Sequence, residues 1–226
     1  MFSPAKYITR TVSSPVTHAW AARRAPTAKQ GAVRAASRHR YHAGMLFKFF
    51  RQPAIDPLQV SMTGVKMGEK FLLVGCDDPV LLAGLGAKVG LSGGAAVVTF
   101  DEHQAVAAKR AADREGFLLE SKMGRDGQIA FDDGLFDMVV VDDTKGAFAA
   151  RDEVFRQTVL THVHRVLRRG GRVEVVEGLG GTGPLARPTV RPAGYDAATT
   201  LERAGFKPVR LLAEVTNFRF VEGLKV

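Results

Sequence analysis

The sequence predicts an α/β protein: a doubly wound, mostly parallel seven-stranded sheet with an antiparallel C-terminal edge strand. Three observations predict it. Short apolar runs rich in β-branched residues alternate with helical segments, the pattern of a parallel sheet with helices on both faces. Turns rich in Gly and Asp sit where strand should pass to helix. The last two runs, 206–214 and 218–221, have no helix between them, so they close the sheet as an antiparallel pair.

The elements follow in order. Residues 71–75, FLLVG, are the first strand. Asp77 or Asp78 can cap the next helix, with Pro79 at its first position, where a missing N–H costs nothing. That helix, PVLLAGLGAKV, ends at Gly90, and Ser92-Gly93-Gly94 turns the chain into a buried strand at 95–100. Residues 103–115 have helical composition, and Gly116 can end them in the left-handed conformation. Residues 117–120 read as the third strand and 136–141, FDMVVV, as the fourth. Residues 151–168 form the clearest helix, with Phe155, Val159, Val163, Val166 and Leu167 on one face. Arg165, Arg168 and Arg169 suit its C-terminus, and Gly170-Gly171 stop it. Residues 172–177 are a fifth strand and 195–204 a last helix.

A chain of 226 residues holds one α/β domain with length to spare. No apolar run reaches the ~18 residues a membrane span requires. A single cysteine, Cys76, excludes an internal disulfide and suits a reducing, cytoplasmic setting. The net charge of +9 is unevenly placed: residues 1–55 carry ten Lys or Arg and no acid, whereas the remainder carries 22 basic and 23 acidic side chains. The folded domain is therefore near neutral, and nucleic acid is not its expected partner.

The sequence divides into a basic N-terminal segment (1–44), a lid segment (45–66) and the main domain (67–226). Residues 1–44 are rich in Ala, Arg, Ser and Thr with little apolar periodicity, so disorder is expected. Three readings fit them: a mitochondrial transit peptide, a basic arm for nucleic acid or anionic lipid, or upstream residues before a true start at Met45. The MLFKFFR patch at 45–51 packs as a lid on the domain or anchors it near a lipid-like substrate.

The chemistry is concentrated between residues 71 and 101, where strand, turn, helix, Gly-rich turn and second strand end on Asp101. In an open parallel sheet a nucleotide-like ligand rests over the first turn, and an acid after the second strand takes its ribose hydroxyls. Asp101 alternatively caps the next helix. The G-x-G-x-x-G at 178–183 also follows a strand, but Pro184, Pro188 and Pro192 come next in place of the helix a pyrophosphate needs. It reads instead as a loop over a second pocket. Asp142-Asp143 has no His or Cys nearby, and no metal site is expected.

Three blocks together resemble the class I S-adenosylmethionine-dependent methyltransferases: FLLVGCDDP with VVTFD, AFDDGLFDMVVVDD at 130–143, and HRVLRRGGRVEVVEG at 164–178. The closing residues 201–225 are similar to that family's last helix and strand pair. The resemblance implies a Rossmann-like fold, S-adenosylmethionine as cofactor and a small-molecule acceptor. It places Gly75, Cys76 and Asp77 in the cofactor loop, Asp101 and Glu102 at the ribose, Asp126 near the adenine, and Asp142 where methyl donor and acceptor meet. No residue is singled out as catalytic. The family usually has an acid at Leu73 and glycines at Asp77 and Pro79, so the loop departs from the pattern. A relative that keeps the fold as an inactive binding module is the alternative.

Overall fold

The computed structural model describes residues 57–180, 189, 191–215 and 217–226. The predicted segment 1–44, residues 45–56 of the predicted lid, and the last three positions of the glycine motif lie outside them.

Seven strands form one sheet in the order β3-β2-β1-β4-β5-β7-β6. They are β1 (Lys70–Val74), β2 (Gly94–Thr99), β3 (Leu119–Met123), β4 (Phe136–Asp143), β5 (Leu167–Gly178), β6 (Val209–Val215) and β7 (Phe218–Leu224). β1 to β5 pair in parallel, and β7 runs antiparallel to both β5 and β6. The helices are α1 (Pro57–Met62), α2 (Pro79–Val89), α3 (Glu102–Glu115), α4 (Glu153–Val166) and α5 (Ala197–Arg203). This is the predicted doubly wound architecture.

Strand alternation divides the core into two layers. Leu72, Val74, Val139, Val141, Val173 and Val175 pack with Val159 and Val163 of α4 and Leu201 of α5. Phe71, Leu73, Met138, Val140 and Val176 pack with Leu81 and Leu85 of α2 and Ala108 of α3. Both sheet faces are covered, which explains why β1 and β4 read as unbroken apolar runs.

Aspartates start four of the helices. Asp78, Asp101, Asp152 and Asp196 each accept amide N–H groups of the first turn, satisfying donors a helix leaves unpaired. The Asp78 carboxylate receives the Val80 amide at 2.9 Å, with Pro79 beginning α2 as expected.

Several boundaries differ from the sequence reading, two of them for a visible physical reason. The third strand starts at Leu119, because Phe117 turns its ring against Gly86 of α2 after the left-handed cap at Gly116. α4 ends at Val166, because Leu167 adopts an extended backbone and pairs with Phe136; β5 therefore includes residues 168–171, expected to end the helix. Both shifts are tertiary pairing overriding local signals.

Candidate functional site

The C-terminal ends of β1, β2 and β4 converge on a small cavity. Gly75 follows β1 with φ +79°, a left-handed conformation that favours glycine. Its neighbours around the cavity are Phe100 after β2, Gln104 on α3, Asp142 at the end of β4, Phe148 and Phe155. The Phe100 and Phe155 rings meet edge to face at 5.0 Å, and the Arg151 guanidinium lies 4.9 Å from the Phe155 centroid. The cavity is about 30 Å³, far below the ~300–1,000 Å³ of ordinary ligand sites.

The acids of the loop explain that small volume. Asp77 Oδ2 accepts the backbone amides of Lys145 and Ala147, both at 3.2 Å, and Oδ1 accepts Gln104 Nε2 at 2.8 Å. Asp142 Oδ2 accepts the Asp78 amide at 2.7 Å, and Oδ1 accepts the Thr144 amide and hydroxyl. The two carboxylates thus fasten the turn after β1 to the turn after β4. Burial pushes Asp77 above the usual carboxylate range, against the lowering effect of its amide bonds. Burial likewise lifts Asp142 to about 6, opposed by the Asp78 and Thr144 bonds.

Asp101 caps α3: its Oδ1 accepts the His103 amide at 2.6 Å and the Gln104 amide at 3.1 Å. The residue is exposed, and neither bond uses Oδ2. Capping and ribose binding are therefore compatible. Glu102 lines a groove between α3 and β3 rather than the cavity beside Gly75. Asp126 sits exposed at φ 50° in the turn after β3. That turn abuts α4, since a Cβ on Gly127 would lie 3.1 Å from the Phe155 carbonyl. Cys76 is buried, and burial together with Asp142 and Asp78 pushes its thiol well up, so it is a packing residue and not a nucleophile. Among the described residues no group of three or more His, Cys, Asp or Glu is placed to hold a metal ion.

Sequence reasoning missed Gln104, Phe155 and the 144–148 turn. Phe155 carries a misleading signal, because its place on the apolar face of the long helix is also what a core residue shows. Asp143, weighed only as half of a metal pair, is fully buried; its Oδ1 accepts the Phe148 and Ala149 amides and so shapes the turn over the cavity.

Donor chemistry tests the fit of S-adenosylmethionine. Asp101 keeps an oxygen for a ribose hydroxyl, the Phe100–Phe155 pair offers aromatic surface, and the loop acids suit a cationic sulfonium. The residues fit that group chemically. The strand order defines the class: a Rossmann-like fold of the methyltransferase type.

Comparison with known proteins agrees. Residues 52–187, more than half of the chain, match the ubiE/COQ5 methyltransferase family. The chain belongs to that family, whose members carry S-adenosylmethionine as cofactor. A SAM-dependent methyltransferase from Aquifex aeolicus has a similar structure, with TM-score 0.60 and 20% identity over 76% of this chain and 95% of that one. A putative O-methyltransferase from Nostoc punctiforme gives TM-score 0.59 at 15% identity, covering 76% of this chain and 56% of that one. A SAM-dependent methyltransferase from Methanosarcina mazei gives 0.52 at 16%, covering 76% and 99%. These likenesses establish the fold. Among proteins of curated function, none matches this sequence.

Proposed function

We propose that this protein transfers a methyl group from S-adenosylmethionine to a small-molecule acceptor, with the donor lying over Gly75 and its ribose on Asp101. The observation that carries this reading is the placement of Gly75, Asp101 and Asp142 at the C-terminal ends of β1, β2 and β4, with Gly75 and Asp142 lining one cavity beside the point where strand order reverses. When bound, the cofactor supplies an activated methyl on a cationic sulfur. The chain's own task is positioning and water exclusion. Gly75 lets the backbone approach the ligand. Asp101 Oδ2 accepts a ribose hydroxyl while Oδ1 holds α3. Phe100 and Phe155 cover the base, with Asp126 at the rim. Asp142 supplies negative charge beside the sulfonium once the Asp77 clasp on the 144–148 turn opens.

A second reading, an inactive relative that keeps the fold as a binding module, is favoured by one observation. Asp77 fills the hydrogen-bonding capacity of the loop where family members carry glycine, and the cavity is too small for the donor as it stands.

Ultraviolet cross-linking with methyl-tritiated S-adenosylmethionine separates the two. Label on peptides holding residues 74–78 or 100–104, competed by S-adenosylhomocysteine and not by NAD, is expected. An unlabelled protein, or equal competition by NAD, contradicts the methyltransferase reading.

A further inference from the structure

The loop after β1 has few unmet polar needs: donors reach both carboxylate oxygens of Asp77 and of Asp142. Apart from the two oxygens of Glu174, a group of unmet needs lies across the sheet. Asp143 Oδ2, Glu177 Oε2, the Tyr195 hydroxyl and the Nε atoms of Arg156 and Arg191 are buried with no hydrogen-bond partner. Asp143 and Glu177 face one another in register at the ends of β4 and β5, 0% and 1% exposed. By alternation with Val141 and Val175 they point to the layer that holds α4 and α5. Tyr195, just before α5, lies under the Arg156 guanidinium at 5.1 Å. Arg191 reaches Glu177 Oε1 at 3.5 Å and the Gly178 carbonyl at 2.8 Å. Arg219 stands 3.8 Å from Glu177 Oε2, at ion-pair distance only. Asp143 and Tyr195 both feel the charges of Glu177 and Arg191, so the five atoms belong to one cluster.

Buried polar atoms in folded proteins are nearly all bonded, and one left unmade costs about 1–3 kcal/mol. A cluster of five marks a place that a bound molecule completes. A cleft of about 170 Å³ shares Arg156 and Tyr195 with the cluster, the other three residues lying behind its wall; its remaining charges, Glu153 and Arg203, pair with one another at 2.7 Å, and Asp196 caps α5. Charge narrows the chemistry. Arg219 is committed to Glu214 at 2.9 Å, which leaves two carboxylates against two guanidinium groups, so neither an anion nor a cation gains from the cluster as a whole. The free atoms are acceptors on the acids, donors on the arginines, and a hydroxyl that serves as either.

We propose that the Asp143–Glu177–Tyr195–Arg191–Arg156 cluster binds a small neutral molecule that carries hydrogen-bond donors and acceptors side by side, an alcohol or a carboxamide. Resting on the methyltransferase reading, it holds the polar end of the methyl acceptor. Burial lifts Asp143 to about 7, against the Ala149 amide bond and with the Glu177 charge. Near neutral pH its carboxyl therefore offers a lone pair or a proton.

Benzamide, benzoate and benzamidine share one ring and differ in charge, so ligand-observed NMR with the three tests the site. Benzamide should bind the wild type about tenfold tighter than either ion, as a site built to pair polar groups discriminates. Asp143→Asn, which keeps Oδ1 for the Phe148 and Ala149 amides, should weaken benzamide about tenfold, and Tyr195→Phe should weaken it too. Tyr195→Phe should melt no lower than the wild type, because the lost hydroxyl has no partner. Equal affinity for the three probes, benzamide binding that neither variant changes, or a lower melting temperature in Tyr195→Phe from a filled water network would overturn the site. Titration of S-adenosylmethionine in parallel separates the two proposals. Benzamide bound without the methyl donor leaves the site and removes the methyltransferase reading; the donor bound without benzamide does the reverse.

Discussion

Asp142 accepts the backbone amide of Asp78 at 2.7 Å, joining the end of β4 to the cap of α2. With the two amides that Asp77 accepts from Lys145 and Ala147, it holds the mouth of the candidate cofactor groove closed. The loop after β1 is thus ordered by its acids: Asp77 substitutes side-chain acceptance for the open backbone that glycine would give.

Asp77→Ala should therefore open the groove. S-adenosylmethionine affinity should rise by about tenfold, and urea denaturation should show a loss of about 1–3 kcal/mol, the scale of hydrogen bonds to a charged group. Weaker binding by a folded Asp77→Ala protein would make Asp77 a ligand of the cofactor instead of a clasp.

Gly178 has a packing role that its motif obscured. A Cβ there would collide with the Thr144 carbonyl, and Thr144 in turn bonds Asp142. Gly178→Ala should displace the 144–148 turn and cost about 1–3 kcal/mol in thermal or urea unfolding, as overpacking does. A fully stable variant with unchanged ligand binding would show that the turn yields freely.

Glu174 predicts a pH dependence. It is 0% exposed, both its oxygens lack hydrogen-bond partners, and it stands in register with Glu222. Burial first, then the Glu222 charge, lifts it to about 9, against Arg172 and Lys88. A folded-state value above the unfolded one means a contribution present at low pH and lost as pH rises through about 9. Stability should fall from about pH 5 to pH 9, and Glu174→Gln should remove that part of the slope, so the variant's advantage over the wild type grows as pH rises to 8. Parallel urea-derived stability curves for variant and wild type would contradict this.

The fold was legible because both sheet faces are covered. β1, β2 and β4 are nearly all apolar, the helices begin at Asp, and each is a local signal that agrees with the tertiary result. The site was legible only in part. Gly75, Asp101 and Asp142 stand at strand ends, where position in the layout is informative. Gln104 and the 144–148 turn reach the cavity through backbone amides and a side chain with no pattern of its own. Phe155 satisfies the helical period and the pocket together, and period alone assigns it to the core. The Asp143–Glu177 pairing depends on the register of β4 with β5, which sequence does not display.

Isothermal titration with S-adenosylhomocysteine tests the central claim most directly, using wild type and Asp101→Ala. Wild-type protein should bind, and Asp101→Ala should bind about 1–3 kcal/mol more weakly, reflecting a lost hydrogen bond to a charged group. Asp101→Asn, which keeps an acceptor for the α3 cap, separates that loss from unfolding of the helix start. No heat of binding to the wild type at millimolar ligand would contradict the assignment of this groove to the methyl donor.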